Sequence, residues 1–593
     1  MLKLARYLKP FWAGVAFIVL LLLAQAMLEL YLPTLMADIV NDGVIYAFVT
    51  ETSRTPFILR TGGLMLLCAF LAGGASILAG YISPRIAAGA ARDLRRDLFT
   101  KVECFSQAEF DKFSSASLIT RCTNDVQQVQ NLAGIFARTL LYAPILATGG
   151  IIMALTRNVS MAWIIALAVI VLIGIVITIV SIVMPKFKIL QEFIDVLNKV
   201  SREILHGLMV IKAFGTQNHE KSRFDKTNTD LRDLGLFIGK VMAIVMPAMT
   251  LLIGGTQILI IWVGAHQIAG AFADYAAAGS FNIGDMMAFM QYAMQVIFSF
   301  MMISMVLVML PRAQVSAARI AEVLETVETI INPSNPLSLD DESAIVEFDN
   351  VSFKYPGAET NAIDGICFTA EPGQTTAIIG ATGAGKTTIA QLLLRFYDST
   401  SGTVKVGGLD IKKLRQEDLR KKIGYVPQKG QLLSGSIASN IKYGAPDASD
   451  EEMESVSKVA QAFDFINETE DKFQHEISQG GANVSGGQKQ RLSIARALAK
   501  KPSIILFDDS FSALDFTTDA KLRKALKEHT DSAAVIVIAQ RVSTIISANK
   551  ILVLDAGKII GQGTHDLLLK TCSAYHEIAL SQGVLEASEV QRG

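Results

Sequence analysis

Apolar residues fall into long runs in the first half of this chain and into short runs punctuated by glycine and proline in the second. Up to about residue 310, six runs approach the ~20 residues that carry a helix across a bilayer, at 12–36, 61–83, 135–155, 161–184, 243–265 and 284–309. So many long runs in half a chain are not the pattern of buried soluble helices. Between them, segments 85–121 and 186–240 are polar yet keep recurring apolar residues, as in "REILHGLMVIKAFGTQNHEKSRF", and are expected to be helical. Helices that run on past the bilayer would place the tips of these loops well away from it.

After Pro311 the pattern predicts a charged amphipathic helix at about 312–328, then "INPSNPLSLDDES", whose prolines and serines read as a linker. From Val346 short β-rich runs alternate with helices, the pattern of a soluble α/β domain. The expected organisation is a transmembrane domain over 1–310 with six helices and two long cytoplasmic loops, a helical extension and linker over 311–344, an α/β domain over 345–583, and a polar tail over 584–593.

Lys and Arg set the orientation. They crowd 85–121 (Arg85, Arg92, Arg95, Arg96, Lys101, Lys112, Arg121) and 186–240 (Lys186, Lys188, Lys199, Arg202 and Lys212 among them), and are sparser at 37–60 and 266–283. The N-terminus, both long loops and everything after 311 are therefore placed in the cytoplasm. The basic start (Lys3, Arg6, Lys9) leads into an apolar run too long for the core of a cleavable signal peptide. Hydrophobic residues make up 51% of the chain, and the formal net charge of −1 argues against nucleic-acid binding. The five cysteines (Cys68, Cys104, Cys122, Cys367, Cys572) show no paired spacing, so neither a zinc site nor a disulfide framework is expected.

The chemistry lies in the second half. "GATGAGKTT" (380–388) satisfies G-x-x-x-x-G-K-[ST] and follows the apolar strand "TTAIIG". Gly380, Gly383 and Gly385, with Thr382 and Thr388 in the same loop, let backbone N–H groups close around phosphate oxygens at a helix start. Lys386 is the β/γ-phosphate contact and Thr387 a magnesium ligand. "IILFDDSFSALD" (504–515) is a short apolar strand closed by Asp508, which holds magnesium through water. "VSGGQKQRLSIARAL" (484–498) opens a basic helix with Ser485, Gly486, Gly487 and Gln488, a second phosphate-binding element. Its distance along the chain from the first predicts that the two serve different nucleotides, one shared with another subunit.

With these three motifs the chain resembles bacterial ABC exporters of the half-transporter type over nearly its whole length. The resemblance implies an all-α six-helix transmembrane domain (the type I exporter, or type IV ABC, fold), then an α/β P-loop nucleotide-binding domain with a helical subdomain. It also implies a multi-pass protein of the bacterial inner membrane that uses ATP and Mg2+ and contacts membrane lipids. Tyr355 in "FKYPG" matches the aromatic that stacks on adenine, and Gln428 in "GYVPQ" the glutamine that senses magnesium and couples to the membrane helices. Asp515 in "SALD" matches the aspartate that communicates across the dimer. Thr387, Gln428 and Asp508 form the metal-facing set. "EILHGLMVIKAFGTQNHEKSRF" and "FDKFSSASLITRCTNDVQQV" resemble the loops that end in coupling helices.

Two departures fall on one nucleotide. Asp509 stands where hydrolytic members carry the catalytic glutamate, and Gln540 in "VIVIAQR" where they carry a histidine on the γ-phosphate. Losing one methylene withdraws the carboxylate by about 1.5 Å, and misplacement of roughly 1 Å can cost on the order of a hundredfold in rate. Glutamine hydrogen-bonds but supplies no titrating imidazole. Gln479 replaces a glutamate often present before the signature, and in the signature itself Val484 replaces leucine. A weak site beside a nearly intact signature predicts a heterodimer. This chain's signature would complete a partner half-transporter's competent site.

Substrate signals are thinner. Residues 284–309 hold Met286, Met287, Met290, Met294, Met301, Met302, Met305 and Met309, suited either to repacking around varied apolar ligands or to lipid contact. Gln291 and Gln295, four apart, share a helix face. Glu29 stands late in the first span, about 17 residues beyond Trp12 and so roughly 26 Å along a helix. It is either a cation-attracting group on a transport path or a residue at the outer headgroup level. Export of small amphipathic compounds, drugs among them, is the main expectation. A lipid, peptide or siderophore exporter and an ATP-gated channel or regulator are the alternatives.

Overall fold

The computed structural model describes residues 2–135, 139, 141–273, 282–339 and 344–584. Residues 274–281 of the expected outer loop, 340–343 of the linker, the tail from 585, and 136–138 with 140 in the third apolar run lie outside the described residues, as does the side chain of Met305. The chain forms two compact units, Met1–Glu103 with Ser115–Thr326, and Cys104–Ser114 with Val327–Gly593.

The first unit is helical. Its long helices are α1 (Trp12–Asp38), α2 (Thr55–Glu103), α4 (Leu141–Arg157), α5 (Ala162–His206), α7 (Gln217–Ala273) and α8 (Ile283–Glu325). Short α6 (Leu208–Ala213) lies within the second polar segment, and short α3 (Gln107–Phe113), within the first, belongs to the second unit. Among the described residues, five helices are long and apolar enough to cross a membrane, and α4 is a shorter apolar helix of 17 residues. Helices α2, α5, α7 and α8 have 49, 45, 57 and 43 residues. At about 1.5 Å per residue each is at least twice as long as the ~30 Å apolar core of a bilayer. Cys68, Ala72, Ala75, Ala79, Ser83, Ala87 and Ala90 lie on the buried face of α2. Small residues at this spacing let helix backbones approach, and Ala79 and Ile86 pack with Ile18 and Leu22 of α1. Next to them, Leu30, Leu146, Phe289 and Tyr292 knit α1, α4 and α8 into one cluster.

The expected break near residue 310 is absent, because α8 runs unbroken to Glu325. Buried Val306, Ala313, Ala317, Ile320 and Val323 continue one stripe across Pro311, and this packing outweighs the single backbone bond a proline removes. The observed units divide after Thr326, so the helical extension belongs with the membrane helices.

The second unit holds two main sheets. Strands β1 (Val346–Phe353), β2 (Ile363–Ala370), β4 (Ser401–Val406) and β5 (Leu409–Asp410) form an antiparallel sheet in the order β2-β1-β4-β5. Strands β3 (Thr375–Gly380), β6 (Ile423–Val426), β7 (Ile504–Asp508), β8 (Ala534–Ile538), β9 (Lys550–Asp555) and β10 (Lys558–Gly563) form the other, in the order β10-β9-β3-β8-β7-β6. All its neighbours are parallel except β9 and β10. Ile504 and Leu506 enter one core and Ile505 and Phe507 the other, so β7 is buried on both faces and reads as a continuous apolar run. Three short helices, Ile437–Ile441, Asp450–Val459 and Phe463–Asn467, pack beside α10 (Gly486–Ala499) as the helical subdomain.

Cys104–Ser114 groups with this unit although it lies far away in sequence. Glu109, 4% exposed, caps α3 through Ser106 N (2.7 Å) and also accepts from Thr329 N (3.2 Å). Tyr397 donates to Asp111 (2.8 Å), and Ala108 packs on the core. Burial pushes the Glu109 carboxyl up, but the hydrogen bonds from Ser106 and Thr329 outweigh it and hold the group below its ordinary value.

One backbone approach gives a sharp expectation. A Cβ on Gly380 would lie 2.1 Å from the Leu554 carbonyl oxygen of β9. Gly380→Ala is therefore expected to lower the thermal midpoint of the nucleotide-binding half, at a cost of about 1–3 kcal/mol or more. An unchanged midpoint by calorimetry would show that the sheet yields freely there.

Candidate functional site

The site forms where β3 ends and α9 (Lys386–Leu393) begins. The turn between them needs left-handed backbone at Gly383 (φ 86°) and Gly385 (φ 95°). At Gly385 a Cβ would also meet the Ala362 carbonyl at 2.7 Å. Lys386 Nζ donates to the Gly380 and Ala381 carbonyls, both at 2.8 Å, folding the side chain over its own loop. Burial lowers the Lys386 pKa, against the pull of Asp509 and Asp508. Thr387 Oγ1 donates to Asp508 Oδ1 at 3.3 Å, which joins the start of α9 to the end of β7.

A cavity of about 330 Å³ opens over this loop. Tyr355, Thr382, Gly383, Gly385, Lys386, Thr387, Thr388, Gln428, Asp508, Asp509 and Gln540 line it, with Ala362 and Ile538. The Tyr355 hydroxyl donates to Gln391 (2.7 Å) and pairs with Thr388 (3.0 Å), while Phe353 and Tyr397 brace its ring edge-on. Asp508 and Asp509 are 3% and 8% exposed, and burial raises both carboxyls above their ordinary values.

Asp509 sits in left-handed backbone (φ 48°), with its N–H on the Ile538 carbonyl at 2.8 Å. Its Oδ2 accepts from Gln428 Nε2 (3.1 Å) and from Gln540 Nε2 (2.9 Å). The two residues that depart from the hydrolytic pattern are thus bonded to each other, and the glutamine of "GYVPQ" joins them.

The second phosphate-binding element lies elsewhere. Ser485 caps α10, accepting from Gln488 N at 3.2 Å, and Gln488 Oε1 accepts from Ser485 N at 2.8 Å. This capping box spends the Gln488 side chain on its own helix. Ser485 and Gly486 are exposed, and a Cβ on Gly486 would meet nothing within 4 Å. Asp515 caps α11 (Phe516–His529), accepting from Thr518 N at 3.0 Å. None of Ser485, Gly486, Gly487, Gln488 or Asp515 lines the cavity, and Gly380 does not reach it either. Gly380 also packs closely against β9, where a Cβ would lie 2.1 Å from the Leu554 carbonyl oxygen.

Residues 15–300 match the family described as the ABC transporter transmembrane region, and 363–512 the one described as ABC transporter. An uncharacterized ABC transporter ATP-binding protein of Mycobacterium tuberculosis is 39% identical over 585 residues, 98% of either chain. The chain is an ABC exporter half-transporter. Another such relative, from Bacillus subtilis, is 36% identical over 99% of this chain and 100% of its own. The B. subtilis protein named "Probable multidrug resistance ABC transporter ATP-binding/permease protein" is 28% identical over 99% and 98%. A solved bacterial Atm1-family ABC exporter with ATP bound matches with a TM-score of 0.78 at 26% identity, covering 98% of this chain and 99% of that one.

The half-transporter is therefore a multi-pass ATP-hydrolysing protein of the bacterial membrane, its nucleotide-binding domain cytoplasmic, from a family whose members dimerise. Its membrane half brings Glu29 and Gln295 together. Gln295 Nε2 donates to the Glu29 main-chain carbonyl at 3.2 Å, and the Glu29 carboxylate accepts from Gln25 (2.9 Å) and Tyr142. Met290 and Met294 are half-buried nearby on α8, whereas Gln291 is exposed. Sequence reasoning missed Gln391, Glu109, Thr329 and Tyr397. The "SQAE" at 106–109 is a readable capping-box signature for one of them. The others come from distant parts of the sequence and carry no local signal.

Proposed function

We propose that this half-transporter works in a heterodimer with two unequal nucleotide sites and exports small amphipathic compounds. The observation that carries the reading is the pair of amides on Asp509 Oδ2. A general base must present a lone pair to water within about 3 Å. Here the carboxylate is one methylene short, and its Oδ2 already accepts two N–H bonds.

In this reading Lys386 leaves its loop carbonyls for the β- and γ-phosphates of ATP, and Tyr355 stacks on adenine. Backbone amides of 382–388 surround the phosphates. Thr387, Asp508 and the amide oxygen of Gln428 would hold magnesium. A hydroxyl, a carboxylate and an amide oxygen are the hard donors that ion prefers, and it would supply charge neutralisation of the phosphates. The exposed Ser485-Gly486-Gly487 turn, with helix N–H groups pointing outward, serves a nucleotide held by the partner. Asp515 lies beside that surface.

The membrane unit also supports a second subunit. At the tip between α5 and α7, Leu205, Met209, Val210 and Phe214 are 74%, 81%, 60% and 78% exposed. An apolar patch at the far end of a cytoplasmic hairpin is a protein-contact surface. The name of the B. subtilis multidrug relative supports the substrate class.

Purification from the native membrane tests the assembly. A second half-transporter, with glutamate after its own Walker B aspartate and a histidine in place of Gln540, is expected to co-purify in equal amount. A homodimer of this chain with the full substrate-stimulated turnover of the native complex would overturn the reading.

A further inference from the structure

We propose that the membrane half carries a recognition site for a protonated amine, built on Glu29 of α1 and Gln295 of α8. It rests on the exporter reading and names its substrate class. Glu29 Oε1 accepts from Gln25 Nε2, and its other carboxylate oxygen accepts from the Tyr142 hydroxyl of α4. Both donors are neutral. Among the described residues no Lys, Arg or His pairs with Glu29. A carboxylate on a helix apolar enough to span the membrane, with no counter-charge among the described residues, is costly, and two neutral hydrogen bonds do not replace one. Each carboxylate oxygen can accept a second hydrogen bond.

Gln295 narrows the ligand. Its N–H reaches the main chain of Glu29, which places the amide beside the same turn of α1. Its Oε1 is buried and has no donor. A buried acceptor without a partner loses free energy that a ligand N–H would recover. Glu29 asks for positive charge and Gln295 for a hydrogen-bond donor, and one chemical group supplies both: an ammonium that carries N–H bonds. A quaternary ammonium has the charge without the donor. A divalent metal fits poorly, since among the described residues no three His, Cys, Asp or Glu side chains cluster anywhere. The neighbouring Tyr292 hydroxyl is already committed to Leu30 O (3.1 Å) and Thr34 (2.8 Å). Half-buried Met290 and Met294 supply an adaptable apolar wall for the rest of the molecule.

Binding to the native complex in lipid nanodiscs, without nucleotide, tests the site with three fluorescent probes. These are a dansyl-alkylamine, its trimethylammonium counterpart and its neutral N-acetyl counterpart. The amine is expected to bind about tenfold more tightly than the quaternary probe, the worth of one buried hydrogen bond. Gln295→Met is expected to erase that preference without weakening the quaternary probe. Glu29→Gln is expected to weaken both cations by about tenfold or more and to spare the acetylated probe.

Equal affinity of the wild-type complex for amine and quaternary probe overturns the proposal. So does an equal loss of all three probes in both variants, which marks a structural role. Should Glu29→Gln fail to assemble, Gln295→Met decides alone, and a retained amine preference overturns the site. ATP-driven uptake of the amine into inside-out vesicles is read separately. Binding without uptake keeps the site and sinks the export reading.

Discussion

Replacing Ser485 and Gly487 by alanine is expected to remove nearly all ATP turnover of the assembled complex, while Asp509→Ala leaves most of it. On the unequal-site proposal, the two ends of this nucleotide-binding domain serve different sites. Ser485 and Gly487 sit at the exposed start of α10, outside the cavity formed by this chain's own phosphate loop. In that proposal their N–H groups and hydroxyl meet a phosphate whose hydrolysis depends on the partner's base. Donors placed at a transferring phosphoryl group contribute several kcal/mol that appear only in the transition state. In the same proposal Asp509 has little hydrolysis to lose, because Gln428 and Gln540 both donate to its Oδ2.

The fold tolerates the test. A Cβ at Gly487 would lie 3.4 Å from the nearest atom, the Ala513 carbonyl oxygen. Losing the Ser485 cap costs α10 about 1 kcal/mol. Ser485→Asn keeps a cap and separates that cost from catalysis. Steady-state ATPase on the reconstituted complex is the measurement. Turnover that collapses equally in Asp509→Ala would make Asp509 a working base and end the unequal-site reading.

The second large effect is a gain. In a complex whose partner has lost its own catalytic glutamate, Asp509→Glu with Gln540→His is expected to raise turnover at least about tenfold. Either change alone is expected to recover much less. The extra methylene advances the carboxylate by about 1.5 Å, but with Gln540 present an amide remains to hold it as a hydrogen-bond acceptor. Histidine replaces that amide with a titrating imidazole in the cavity. Residues that act as a unit respond non-additively, so the interaction term of the double-mutant cycle carries the information. Full recovery by Asp509→Glu alone would show that reach was the whole defect. No recovery by the pair would move the defect out of these two residues.

Much of this was legible along the chain. The six apolar runs, the phosphate loop and the Walker B strand each depend on neighbours in sequence, through helix length, turn chemistry and an uninterrupted apolar run. The sequence also announced Asp509 and Gln540 as departures, because each sits inside a short motif with a fixed place. Local pattern was least reliable at Pro311. A proline predicts a break, and the stripe from Val306 to Val323 packs straight through it.

Tertiary structure alone decided what those residues do to one another. Gln428, Asp509 and Gln540 stand on different segments, and only the parallel order of β6, β7 and β8 brings their side chains to one end of the sheet. Gly380 reads as a phosphate-loop glycine in sequence, and only the fold shows that it also packs against β9. Cys104–Ser114 sits amid membrane helices in sequence and folds with the nucleotide-binding half, because Glu109 meets Thr329 and Asp111 meets Tyr397 more than 200 residues away. In the membrane, sequence put Glu29 on a span, and the packing of α1 against α4 and α8 gave it neutral neighbours and, among the described residues, no cation. Periodicity fixes which face of a helix is apolar. Only the packed neighbours fix which polar atoms are satisfied and which are left for a ligand.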